Sequence, residues 1–213
     1  MTRNDIRQRI LRALNDDPTA PVYWTTAEID TYIDEGLEVL VELAPALKRT
    51  FTVPRREGQL LYDLAGVGAN IQTPYRIWLP DLHRRLHPWS LTDLDAHHEQ
   101  WMTVHGSPWV WAPVDWSQFV IWPIPGTGGG WLEVSCYVWP DALEADGDIP
   151  EVLPADHESL VVYGEMLGQL KQYNVGRALE LAQRFLSRWG RARDRSSIEQ
   201  LLGAMHQRSR HDG

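Results

Sequence analysis

The apolar residues of this 213-residue chain change period twice, and that double change limits the folds open to it. Near the N-terminus they recur every three or four residues, as on one face of a helix. Ile6, Ile10, Leu11 and Leu14 form one such set, and Ile29, Tyr32, Ile33, Leu37, Leu40, Leu43 and Leu47 form a second. From residue 49 to 140 the pattern becomes short β-rich runs broken by turn residues. The helical period then returns, in Leu160, Val161, Leu167 and Leu170 and again in Ala178, Leu181, Ala182, Phe185 and Trp189. This order predicts an α+β protein: a helical bundle formed by the N- and C-terminal helices, with an inserted antiparallel β-rich lobe. The expected segments are 1–48 for the N-terminal helices, 49–153 for a Trp-rich β lobe, 154–190 for the C-terminal helices and 191–213 for a basic docking arm.

Local signals refine this outline. Thr25 with Glu28, and Ser90 with Asp93, read as capping boxes, the second opening a helix over 91–102. Pro45 is expected to end or kink the second helix. Strands are expected at 51–53, 59–63, 75–79, 85–88, 119–122 and 131–139, the last two joined by a long hairpin connection through Pro123–Gly130. In 131–139, Leu132, Val134, Cys136 and Val138 make an apolar face and Trp131, Glu133, Ser135 and Tyr137 a mixed one, as in a sheet with one solvated side. Gly164 and Gly168 would admit a close neighbour.

Charge is segregated along the chain. Residues 1–14 carry four Arg and one Asp, and 176–213 carry eight Arg and four acids, leaving −16 between them for a total of −9. On the first helix Arg3, Arg7, Arg9 and Arg12 are expected largely opposite the apolar face. Basic ends on an acidic body argue against a nucleic-acid grip spread along the sequence, and fit ends that dock on something acidic. The plainer reading is that acidic loops keep the protein soluble.

Catalytic and metal chemistry find little footing. One cysteine, Cys136, excludes an internal disulfide framework and multi-cysteine zinc, and its place on an apolar strand face marks it as a small buried hydrophobe. His83 and His87 are four apart but stand beside Pro88, and His97-His98-Glu99 has Met102 where a zincin helix needs its second ligand. Gly126–Gly130 lacks the Lys-Ser/Thr of a phosphate loop and lies between strands. No enzyme activity, metal or cofactor is expected. No apolar run approaches eighteen residues and the start lacks a signal sequence, so a soluble protein of a reducing compartment is expected, without membrane contact.

Tryptophan is the sharper signal. Of eleven, nine fall between 78 and 139: Trp78, Trp89, Trp101, Trp109, Trp111, Trp116, Trp122, Trp131 and Trp139. Large rings can fill the core of a small β lobe, or stand exposed as docking or sugar-stacking platforms. A mixture is expected, with burial ahead. Trp109 and Trp111 should share one strand face and one fate, and Trp109, Trp111 and Trp116 are candidates for contact with a tail protein or a neighbouring subunit. A carbohydrate-binding β module is the alternative function.

Several short motifs then occur in a telling order. Thr25–Gly36 is followed by Val53-Pro54, Tyr62-Asp63-Leu64, then Trp101, Gly106-Ser107-Pro108 and Trp111, and Val120–Pro125. Pro140–Leu143, Ile149–Pro154 and Asp156-His157-Glu158 close the series. The series resembles the head-to-tail adaptors of tailed phages, neck subunits related to tail tubular protein A, over roughly residues 1–190. The resemblance implies a ring, usually twelvefold, assembled in the host cytoplasm and seated in the virion neck between the portal protein and a tail or nozzle protein. DNA would pass down its lumen without specific binding, helped by the acidic body. Under that resemblance the arm (Arg191, Arg193, Arg195, Ile198, Leu201 and Leu202) and the first helix (Arg3 and Arg7) are the expected portal-docking elements.

Overall fold

A computed structural model describes residues 1–43, 47–68, 70–126 and 129–188. It is an α+β protein in two compact units, one made of residues 1–44 and 140 onward, the other of 45–139.

The first unit is helical: α1 (Arg3–Ala13), α2 (Thr26–Leu43), α4 (His157–Lys171) and α5 (Val175–Ser187). Thr2 and Asp5 form a reciprocal cap that starts α1. Thr25 Oγ1 accepts the Glu28 amide as expected, but the Glu28 carboxylate turns away to accept from Tyr32 and Lys171, so that box is only half made. α4 is the central helix and is buried on most sides, through Leu160, Val161, Val162, Tyr163 and Met166. Its two glycines serve packing inside the subunit. A Cβ on Gly164 would collide with Ile10 and one on Gly168 would lie 2.6 Å from Leu14, so α1 seats its apolar ridge where α4 has no side chains. Gly36 of α2 does the same for the ring of Tyr163. α5 turns Ala178, Leu181, Ala182, Phe185 and Leu186 inward, close to its expected stripe, while Trp189 lies outside the described residues.

The described residues of the second unit form ten strands: β1 (Lys48–Pro54), β2 (Leu61–Asp63), β3 (Ile71–Leu79), β4 (Arg84–Arg85), β5 (His87–Pro88), β6 (His105–Gly106), β7 (Val110–Pro113), β8 (Gln118–Trp122), β9 (Ile124–Pro125) and β10 (Trp131–Val138). They make a first sheet in the order β1-β10-β3-β4, a second in the order β2-β8-β7-β5, and a two-stranded pair β6-β9. Leu47, expected on α2, instead precedes β1 and packs on the lobe's core. Residues 140–153, which the sequence pattern carried with the lobe, belong to the helical unit, because their backbone accepts from the start of α1: Arg3 N–H donates to the Asp148 carbonyl and Asn4 N–H to the Asp146 carbonyl.

Two apolar clusters organise this lobe. The first lies between the sheets: Val53, Ile77, Leu79, Leu132, Val134 and Cys136 from one, Tyr62, Trp111, Phe119 and Ile121 from the other. The second covers the opposite face of the second sheet, where Val110, Ala112, Val120 and Trp122 meet Leu94 and Trp101. Leu94 sits on α3 (Leu91–His97), whose Ser90–Asp93 box forms as expected but whose helix stops at His97, short of Met102. The expected hairpin from 119–122 to 131–139 is corrected. β8 pairs with β2 and β7, whereas β10 pairs with β1 and β3, so the connection crosses from one sheet to the other. Pro123 and Pro125 have no N–H to offer a ladder, and the Ile124 and Gly126 amides donate to Val104 and Gly106 instead.

Candidate interaction surfaces

Four arginines on α1 were expected to make an outward basic face. The structure turns two of them in. Arg3 and Arg7 are each 8% exposed. Arg7 grips Asp30 of α2 with two nitrogens, at 2.7 and 2.8 Å, and reaches Asp146 at 2.8 Å. Arg3 donates to Asp34 at 3.0 Å and also to the carbonyl of Leu143. The hydrogen bonds it donates to Asp30 raise the Arg7 guanidinium above its ordinary value, and Arg7 in turn lowers the Asp146 carboxyl. Asp34 goes the other way, raised chiefly by burial. With both guanidinium groups held by their own subunit's carboxylates, α1 is clamped between α2 and the 141–148 loop. The acids of that loop are therefore placed by α1, and Asp148 ties it internally by accepting the Glu144 and Ala145 amides at 2.8 Å.

The same pairing recurs at the other basic end. Arg177 meets Glu165 and Glu180 at 3.1 and 3.2 Å and Arg188 meets Asp156 at 2.7 Å, while back on α1 Arg9 meets Glu158 at 2.7 Å. Much of the charge separation along the sequence is thus closed up within one folded unit. The arm residues Arg191, Arg193, Arg195, Ile198, Leu201 and Leu202 lie outside the described residues.

The tryptophans divide by place. Trp101, Trp111 and Trp122 are buried, and the Trp122 indole N–H donates to the Trp101 carbonyl at 3.0 Å. Trp109 and Trp111 do not share a fate. Trp111 enters the cluster between the sheets, while Trp109 packs on the other side, 5.0 Å from the ring of Trp89 and 5.7 Å from that of Trp122. Trp109 precedes the first residue of β7, where strict alternation of faces does not yet hold. Trp116, at the turn between β7 and β8, is 73% exposed, and Trp131 is 55% exposed.

One surface was only half visible in the sequence. On the outer face of the first sheet the cross-strand register places Trp78 opposite both Glu133 and Arg85, Arg76 opposite Ser135, and Lys48 opposite Tyr137. A register shift next to Cys136 leaves Tyr75 as an extra residue, and its ring lies 4.6 Å from that of Tyr137. Lys48 Nζ sits 5.4 and 5.5 Å from these two ring centres. The alternation in β10 announced the mixed face, but only the strand order shows which cations join it.

No group of three or more side chains suited to hold a metal occurs among the described residues. Cys136 is buried, and burial pushes its thiol up to about 12, so it is no nucleophile at neutral pH. No helix among the described residues is long and apolar enough to cross a membrane.

A family model for the SU10 adaptor protein matches residues 1–209. The chain belongs to the SU10 adaptor protein family. No curated protein matches the chain. Membership accords with the motif order from Thr25 to Glu158 and identifies a phage head-to-tail adaptor, a structural component of the virion that associates with other head and tail components.

Proposed function

We propose that this adaptor forms a closed ring, twelvefold by analogy with the neck subunits it resembles, between the portal and the tail. DNA passes through its lumen without specific contacts. It is assembled in the host cytoplasm and has no catalytic role. The observation that carries this reading is the family match over residues 1–209, because it spans both units rather than one borrowed module. The chain's net charge of −9, repeated around a ring, favours passage of DNA over adhesion to it.

The basic arm with Ile198, Leu201 and Leu202 is the proposed portal-docking element. Arg3 and Arg7 contribute to docking indirectly, by holding the 141–148 loop to α1. Trp116 at its exposed turn is the proposed contact with the tail protein or a neighbouring subunit, while Trp111 and Trp109 support that turn from the two clusters. The carbohydrate-binding alternative has no comparable match behind it.

The test is particle size by light scattering and negative-stain imaging, with and without a portal. A ring on the portal supports the reading, and a strict monomer under all conditions overturns it. Deleting residues 191–213 should leave a folded protein that no longer binds the portal, and undiminished binding would remove the arm from the account.

A further inference from the structure

The geometry points to the outer face of the first sheet as the seat for a second copy of this chain, taking the acidic ridge on that copy's α2. The inference rests on the ring reading and adds the surface by which neighbours meet. Among the described residues the face is uncovered within its own unit: its strands carry Trp78 and Trp131 as diagonal neighbours, with Arg85 opposite Trp78, Arg76 two residues away on β3, and Lys48 at the far end of the face, opposite Tyr137. Arg76 and Arg85 are exposed and have no hydrogen bond or ion pair among the described residues, unlike the clamped Arg3 and Arg7. One acid, Glu133, stands against three cations on the strands of this face.

The complementary surface lies on α2. Glu38 and Glu42 are exposed, four residues apart on one ridge, and likewise have no partner among the described residues. Like charges at that spacing cost an isolated helix a few tenths of a kcal/mol, a cost that a cationic partner would reverse. Beside them run Val39 and Leu43, half-buried and also four apart, which offer apolar surface to the indoles. A contact between two different patches is heterologous, the type that closes rings when its rotation permits. Aromatic rings supply the desolvated anchor and the charges set register and encounter rate. A polyanion such as DNA suits the face less well, because Glu133 sits between the cations and the chain as a whole is acidic.

The experiment uses charge reversal in the full chain, read by light scattering across protein concentration and with the portal present. Arg76→Glu/Arg85→Glu and, separately, Glu38→Arg/Glu42→Arg should each raise the concentration needed for assembly by about tenfold or more, with circular dichroism showing both still folded. Mixing the two variants should restore assembly, because reversed face then meets reversed helix between chains. Wild-type-like assembly of either variant overturns the inference while leaving the ring intact. Rescue only when all four changes share one chain overturns it in favour of a contact within the subunit. Unchanged assembly with lost retention on immobilised duplex DNA would reassign the face to a polyanion. A wild-type protein that is monomeric throughout overturns the ring reading, and this inference with it.

Discussion

The second sheet of the lobe buries both of its faces, one against the first sheet and one under α3 and Trp101, whereas the first sheet buries only its inner face. Both are short, rich in aromatic and β-branched residues, and built from neighbouring stretches of chain. What separates them is a single element. The Ser90–Asp93 cap starts a helix whose Leu94 closes over Val110, Ala112, Val120 and Trp122, and nothing among the lobe's described residues does the same for Trp78, Trp131 and Arg76. The same residue type therefore has two uses: a ring on the covered sheet is structural, and a ring on the open sheet is available for association.

This contrast can be broken by substitution. Trp122→Ala should lower stability by about 3–5 kcal/mol, since it empties a buried site and leaves the Trp101 carbonyl without its donor. Trp111→Ala should fall in the same range of about 3–5 kcal/mol, while Trp109→Ala, half-buried at the edge of the other cluster, should cost roughly half as much; equal losses in urea titrations would show that the two rings share one environment after all. Ser90→Ala should cost about 1 kcal/mol and selectively raise amide exchange in 91–97 and in β7 and β8. Trp131→Ala, on the open face, should change monomer stability by no more than about 0.5 kcal/mol, and a larger loss in thermal melts would mean the face is covered.

Acid sharpens the comparison further. Hydrogen bonds from Ser90 hold the Asp93 carboxyl below its ordinary value of 3.8. Its stabilising contribution is therefore complete above that pH and is lost as pH falls through the lowered value. Titration below pH 4 should thus loosen α3 before the first sheet, seen as earlier exposure of Trp101 and Trp122 to a quencher.

Much of this was legible in the sequence where one segment decides its own structure. The α2 stripe, the α3 cap and the alternation of β10 depend on spacing alone, and all three occur. The misplaced features depend on partners distant in sequence. Arg3 and Arg7 were expected outward because helix patterning treats every arginine as solvated; they are inward because Asp30, Asp34 and Asp146 wait there. Trp109 and Trp111 part because β7 begins between them. The crossing from β8 to β10 reads as a hairpin until the second sheet claims β8. The open basic face was hidden for the same reason, since Lys48, Arg76 and Arg85 come from three strands.

The way the lobe is plugged into the chain has a consequence for how the helices find each other. Roughly 110 residues separate the end of α2 from the start of α4, yet these helices pack together, with α1 seated on the glycines of α4. β1 and β10 are the entrance and exit of the lobe, and they are paired from Lys48 with Tyr137 to Pro54 with Trp131, with Val138 N–H donating to the Leu47 carbonyl. Once that pairing forms, the free chain between α2 and α4 shortens to about a fifth of its length, which by loop-closure entropy eases their meeting by about 1.4 kcal/mol. The lobe thereby acts as a clasp: a chain of high contact order becomes, after one antiparallel pairing, two nearly local folding problems.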